Sequence, residues 1–393
     1  MPVPDFTLLP LPTIHFGVGY YSRLPELATS FGRTILVVTG SHALQQSGRL
    51  SALMDGLQSA GMCPFHLVVG REPSPELIDS ALSMYRDNAP DVVLAVGGGS
   101  VLDAGKAISA ILLHHLSVER FIEGQEGFMQ HDGRKVPFIA VPTTSGTGSE
   151  VTNNAVISRV GRKGFKRSLR HVALVPDIAL IDPELMVTLS PELTAASGMD
   201  ACTQLIEAFT SPFATPVTDA LACSGLECFA RSFIAACSDC PDDSLIRGDI
   251  AYAALMSGIA LANAGLGIVH GFASSVGGVV EIPHGTLCAT LLAEATRENI
   301  AQLRLIDSNH PTLQKYAKAG AILSGRATGA LSSGCERLLD TLGHWQERLV
   351  VPRLREYGML PEDVDGIVSL TRSKSNAVKL DDAAMKRILT NRW

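Results

Sequence analysis

Asp91-Val92-Val93-Leu94-Ala95-Val96-Gly97-Gly98-Gly99-Ser100 runs an apolar segment straight into three glycines and a serine. A strand buried on both faces reads as a continuous apolar run, and glycines after it let the backbone turn and approach a ligand closely. From 101 to about 114 the pattern is helical, and the start of that helix points N–H groups back at the glycine turn. The same alternation extends on both sides. Strands are expected at 34–39, closed by Gly40, at 65–69 and at 138–142, with helices at 43–60 and 75–86. Apolar strands separated by helices predict an α/β domain with a parallel sheet, whose ligands bind at the carboxyl ends of the strands.

The character changes near Asp182-Pro183. Pro191-Glu192-Leu193-Thr194 opens a helix with proline in its first turn, and the remainder is almost entirely helical. At 393 residues two domains are expected. They are an α/β domain over 1–185 and an all-α domain over 186–393, with the active site expected in a cleft between them.

Composition excludes several classes. A formal charge of −7 and the lack of a Lys/Arg-rich run argue against a nucleic-acid partner. The N-terminus has no basic residue before Arg23 and four prolines in its first twelve positions, so no secretory signal is expected. Residues 250–280 contain no Asp, Glu, Lys or Arg and are long enough to span a bilayer. Six glycines, two paired serines and His270 in that stretch favour a central helix of a helical domain over a membrane span. Of eight cysteines only Cys237 and Cys240 form a C-x-x-C pair, read as reduced thiols of a cytoplasmic enzyme.

Two loops carry chemistry. Gly97-Gly98-Gly99-Ser100 suits a pyrophosphate, but neither standard fingerprint fits. A Walker A loop fails at Ser100 and Ala107 around Gly105-Lys106, and the Rossmann G-x-G-x-x-G fails at Leu102. Pro142-Thr143-Thr144-Ser145-Gly146-Thr147-Gly148-Ser149-Glu150 gathers five hydroxyls and two glycines after the 138–142 strand. Donor-rich loops at neighbouring strand ends converge on an anion.

A third set lies in the helical half. Asp200 and Gln204 are i, i+4 on one helix face, and His270 and His284 follow on separate elements, since Pro283 interrupts any helix joining them. One aspartate and two histidines are the minimum set for a catalytic divalent ion with an open position. A lone histidine is more often structural, but an imidazole in an uncharged stretch needs a partner. His114, His115 and His131 are assigned no role.

The motifs Gly97–Asp103 with Lys106, PTTSGTGSEVT from Pro142, IDPEL from Ile181, GMDA from Gly198 and the HG…IPHG run from His270 to Gly285 together resemble the iron-dependent (type III) alcohol dehydrogenases, from about residue 14 to about 389. The resemblance implies a dehydroquinate synthase-like architecture, with a dinucleotide-binding α/β domain over 1–185 and an all-helical metal- and substrate-binding domain over 186–393, usually as a homodimer or larger oligomer. It implies NAD(P) held by Gly98, Gly99, Ser100 and Asp103, by Thr143, Thr144 and Thr147, and by Lys166. It implies a divalent metal, iron or zinc, on Asp200, Gln204, His270 and His284. Two positions depart from the family, which has histidine in place of Gln204 and usually in place of Ser274. An amide oxygen is a weaker ligand than imidazole, so iron(II) suffers before zinc. Gly40-Ser41 follows the first strand without the acid that family members selective for NAD often carry there, so Ser41 leans the reading to NADP.

The function implied is hydride transfer between NAD(P) and a small alcohol, aldehyde or ketone, with Asp200, His270 and His284 as the catalytic metal set. Two alternatives stand beside it. One is polyol oxidation with zinc, as in glycerol dehydrogenases. The other is a cofactor-binding protein in which Gln204 and Ser274 mark a decayed site.

Overall fold

The structure, a computed structural model, describes residues 4–159, 164–238, 240–327 and 329–393. The chain forms two compact units: Leu9–Thr144 with Gly148–Val187, and Thr188–Trp393 with Ser145–Thr147 and the N-terminal residues to Leu8.

In the first unit, strands β1 (Thr13–Phe16), β2 (Thr34–Gly40), β3 (Cys63–Val69), β4 (Val92–Gly97), β5 (Phe138–Pro142) and β8 (Ile178–Ile181) form one parallel sheet in the order β1-β8-β5-β4-β2-β3. Side chains alternate along each strand, which explains the unbroken apolar runs. Leu36, Val38, Val93, Ala95, Phe138 and Ala140 pack on one face with the helix Gly99–Ile111. Ile35, Val37, Leu94, Val96, Ile139 and Val141 pack on the other with Leu53 and Leu57. Each fully buried Val, Leu, Ile or Phe among them contributes about 1.5–3 kcal/mol relative to exposure.

Strands β1 and β8 are not among those expected from the sequence, and two further features depart from that reading. The single helix expected over 43–60 is broken into Ala43–Gln46 and Arg49–Ser59, because Gly48 adopts φ 71°, a left-handed conformation that ends the first piece. The unit also carries an antiparallel pair, β6 (Asn154–Arg159) with β7 (Phe165–Arg170), that the pattern did not announce. Its residues include Asn154, Arg159, Lys166, Arg167 and Arg170, so it lacks an apolar run.

The second unit is helical. Pro191–Thr210 packs against Pro216–Cys237, Ser244–Ala264 and His284–Ile306. Two of these, Pro216–Cys237 and Ser244–Ala264, are long and apolar enough to cross a membrane, yet half or more of the most apolar stretch of each is buried within the protein (50% and 61%). The uncharged 250–280 stretch is not one helix. It ends Ser244–Ala264, turns at Gly265 (φ 73°) and restarts as Ile268–Val276.

Candidate active site

The helix Pro191–Thr210 is well specified at its start. The Ser190 hydroxyl accepts the Leu193 N–H at 3.2 Å, Pro191 opens the first turn and Glu192 complements the helix dipole. From that start Asp200, Gln204 and Glu207 fall at intervals of four and three on one face, and all three are buried.

His270 arrives on the short helix Ile268–Val276, whose first N–H groups are capped from remote elements. Glu207 Oε1 accepts from Val269 N at 2.7 Å, and Asn376 Oδ1 accepts from Ile268 N at 3.0 Å. Gly267 leaves room for both caps, since a Cβ there would lie 2.7 Å from the Glu207 carboxylate and 2.8 Å from Asn376 Oδ1. The His270 Nδ1–H donates to Glu207 Oε2 at 2.7 Å, which turns Nε2 toward Asp200 Oδ1, 3.3 Å away. A carboxylate behind the ring is the usual way a metal-binding histidine is oriented.

His284 opens the helix His284–Ile306, with Nε2 3.6 Å from the same Asp200 oxygen. That helix approaches Pro191–Thr210 so closely that a Cβ on Gly285 would collide with the Ala196 carbonyl oxygen. Cys288, one turn on, brings its Sγ to 3.8 Å from His270 Nε2 and 3.9 Å from His284 Nε2. Donors bound about 2.0–2.1 Å from one tetrahedral ion stand roughly 3.3 Å apart, so the Asp200–histidine spacings fit a shared cation.

The electrostatics agree. Burial pushes the Asp200 carboxyl up, but His284 and His270 outweigh it and hold it below the usual range. Burial opposes a charge on His270, yet Cys288, Glu207 and Asp200 together lift it well above an ordinary histidine. Such a ring attracts positive charge, whether a proton or a metal ion. Gln204 is buried in the same helix, and its Oε1 accepts the Ser257 hydroxyl at 2.6 Å. Ser274, on the short helix, is exposed.

In the α/β unit the two donor-rich loops do emerge side by side. Gly97 of β4 pairs in register with Pro142 of β5, and Thr143 N–H donates to Gly97 O at 2.9 Å. A Cβ on Gly97 would lie 2.5 Å from the Val101 side chain, so glycine is required at the turn, and Gly98, Gly99 and Ser100 beyond it are partly exposed. The chain passes from β2 outward to β3, then returns to the other side of β2 as β4. Such a switch point is where open α/β sheets bind ligands. Gly40 and Ser41 at the end of β2 lie at this point.

Several expected cofactor residues have other partners. Asp103 accepts from the Ser149 hydroxyl at 2.5 Å and from Val156 N at 3.1 Å. Lys106, 1% exposed, donates to Ser149 O, Thr152 O, Thr152 Oγ1 and Asn154 O at 2.6–3.0 Å. The pair therefore clamps the chain that leaves the β5 loop. Burial pushes Lys106 down to about 8 against the pull of Asp103 and Glu150, and pushes Glu150 up to about 7. Lys166, on β7, pairs with Glu72. Thr147 belongs with the helical unit, as do Ser145 and Gly146.

Glu207, Asn376 and Cys288 escaped the sequence reading. Glu207 had a signal, lying seven residues after Asp200 on the same face, and Cys288 stands four after His284. Asn376 had none, being 108 residues from the N–H it caps.

The chain matches the description "Iron-containing alcohol dehydrogenase" over residues 12–183, and "Fe-containing alcohol dehydrogenase family, C-terminal" over residues 194–392. It is 30% identical over 387 residues to the NADPH-dependent butanol dehydrogenase of Clostridium saccharobutylicum, covering 95% of each chain. To the 1,3-propanediol dehydrogenase of Klebsiella pneumoniae it is 30% identical, covering 88% of this chain and 87% of that one. An archaeal halo-thermophilic alcohol dehydrogenase from a Red Sea brine pool superposes over the whole of both chains, with a TM-score of 0.91 and 25% identity. The chain belongs to the iron-containing alcohol dehydrogenase family of NAD(P)- and metal-dependent oxidoreductases.

Proposed function

We propose that this chain interconverts a small alcohol and its aldehyde or ketone, binding the dinucleotide through residues 1–185 and the metal through residues 186–393. The observation that carries the reading is the convergence of His270 and His284 on one buried oxygen of Asp200. When bound, the cation polarises the substrate oxygen and the nicotinamide gives or takes the hydride.

The chain's own residues supply position and charge. Asp200 sets a fixed negative charge at the centre. Glu207 holds the His270 ring in the tautomer that leaves Nε2 to the metal. Gly98, Gly99, Ser100, Thr143 and Thr144 offer backbone and hydroxyl donors to the pyrophosphate. Asp103 and Lys106 support these loops from behind, through Ser149 and Thr152. Ser41 presents no carboxylate to a ribose 2′-phosphate, which supports use of NADP.

Substrate names attached to the relatives, butanol and 1,3-propanediol, make short primary alcohols and diols the first compounds to test. The test is metal analysis of the purified protein with a screen of primary alcohols, aldehydes and polyols against both cofactors. Turnover that requires one metal per chain supports the reading. Cofactor binding without oxidation of any compound overturns it. We further propose a cytoplasmic homodimer or larger oligomer, to be read from light scattering of the purified protein.

A further inference from the structure

Cys288 is the least expected member of the metal centre. It lies one turn after His284 on His284–Ile306, so the two share a helix face. A buried cysteine normally packs as a small apolar side chain. This one, with no exposed surface, faces two imidazole nitrogens and stands within the same cluster as a carboxylate. The four ligand atoms of Asp200, His270, His284 and Cys288 all lie within 4.8 Å of one another.

The spacings are those of a coordination shell. With bonds of about 2.3 Å to sulfur and 2.0–2.1 Å to nitrogen, a tetrahedral ion separates sulfur from nitrogen by roughly 3.6 Å. The observed 3.8 and 3.9 Å are within a few tenths of an ångström of that. Gln204, the residue that takes the place of the family's third histidine, already has its amide oxygen bonded to Ser257 at 2.6 Å.

We propose that Cys288 is a metal ligand, so that this chain replaces the aspartate–three-histidine set of its family with aspartate, two histidines and a thiolate. The inference rests on the metal reading above. Gln204, on this view, is a packing residue tied to Ser257. A thiolate is a soft donor that favours zinc over iron(II). With four protein donors the substrate oxygen would enter as a fifth ligand, a coordination number that catalytic zinc sites sometimes reach.

Cobalt(II) tests this directly. The full-length protein is stripped with a chelator, dialysed against cobalt(II), and its metal stoichiometry and absorption spectrum are recorded. One cobalt per chain with an intense thiolate-to-metal charge-transfer band in the near ultraviolet is expected. Cys288→Ser should lose that band and bind cobalt roughly a hundredfold or more weakly, since even removing an outer partner of a metal ligand costs 10–100-fold. Gln204→Ala should keep the band. One equivalent of cobalt without the band in the unmutated protein overturns the Cys288 assignment and leaves the metal reading standing. No cobalt uptake at all overturns both. The spectrum of the unmutated protein decides the matter even if Cys288→Ser fails to fold.

Discussion

On the proposed reading, the loops at the end of the sheet and the centre in the helical unit solve the same problem, holding a charged ligand, in opposite ways. At the sheet end the ligand-facing surface is backbone and hydroxyls, and the charged residues Asp103 and Lys106 are turned inward to fix the loop. In the helical unit the charged side chains themselves face the site, and His270 is aimed at Asp200 by Glu207 from another helix. A site made of backbone tolerates change in side chains near it but not loss of the clamp behind it. A site made of side chains weakens directly with each donor removed.

The largest effect therefore belongs to the helical centre. Asp200→Ala removes the one oxygen that both histidines face. Losing the cation's polarising role forfeits several kcal/mol of barrier lowering, a turnover loss of roughly a thousandfold or more. Metal content should fall with it, while dinucleotide affinity, measured by fluorescence, should change little. Retained metal and turnover in this variant would remove Asp200 from the centre.

Lys106→Met is the counterpart at the sheet end. It strands several buried oxygens and leaves Asp103 and Glu150 without a cation, a loss of about 3–5 kcal/mol of stability. Dinucleotide affinity should drop and metal content should not. If the variant instead loses metal and keeps its cofactor, the clamp has been assigned to the wrong ligand.

These two sites differ as much in legibility as in construction. The glycine loop could be read because strand, turn and helix are contiguous, and the backbone geometry that binds phosphate is local. Asp200, His270 and His284 could be nominated by residue type, but their meeting depends on Gly285 and Gly267 allowing close approach, which no periodicity encodes. Cys288 was hidden because a cysteine among apolar neighbours reads as core. The β6–β7 pair was missed because half its residues are polar, and the break at Gly48 because a single glycine does not reveal the sign of its φ. Asp103 carries a role that the motif did not announce: its carboxylate accepts from the Ser149 hydroxyl and from Val156 N.

Glu207→Gln makes a gentler change in the helical centre. The amide still accepts from Val269 N, so the short helix stays capped, but the charge behind His270 is gone. Metal affinity should weaken by about 10–100-fold, as for other carboxylates behind a liganding imidazole. Competition with a chromogenic chelator measures it. An unchanged affinity would mean that Glu207 serves only as a cap.

Glu150 supplies the smallest effect and tests the clamp without breaking it. Burial raises its carboxyl from 4.5 to about 7, so folding favours the protonated form. Its stabilising contribution is complete below the unfolded value and is lost as pH rises through about 7. Lys106, held at about 8, stays charged over most of that window. The loss between pH 5 and pH 7 amounts to about 2 kcal/mol, at 1.36 kcal/mol per pKa unit. Glu150→Gln cannot ionise, so unfolding midpoints of the two proteins should diverge in its favour from pH 5 to 7 and then run parallel. A gap that does not vary with pH would mean that Glu150 is already charged at pH 5, and that Lys106 shields it far better than its burial implies.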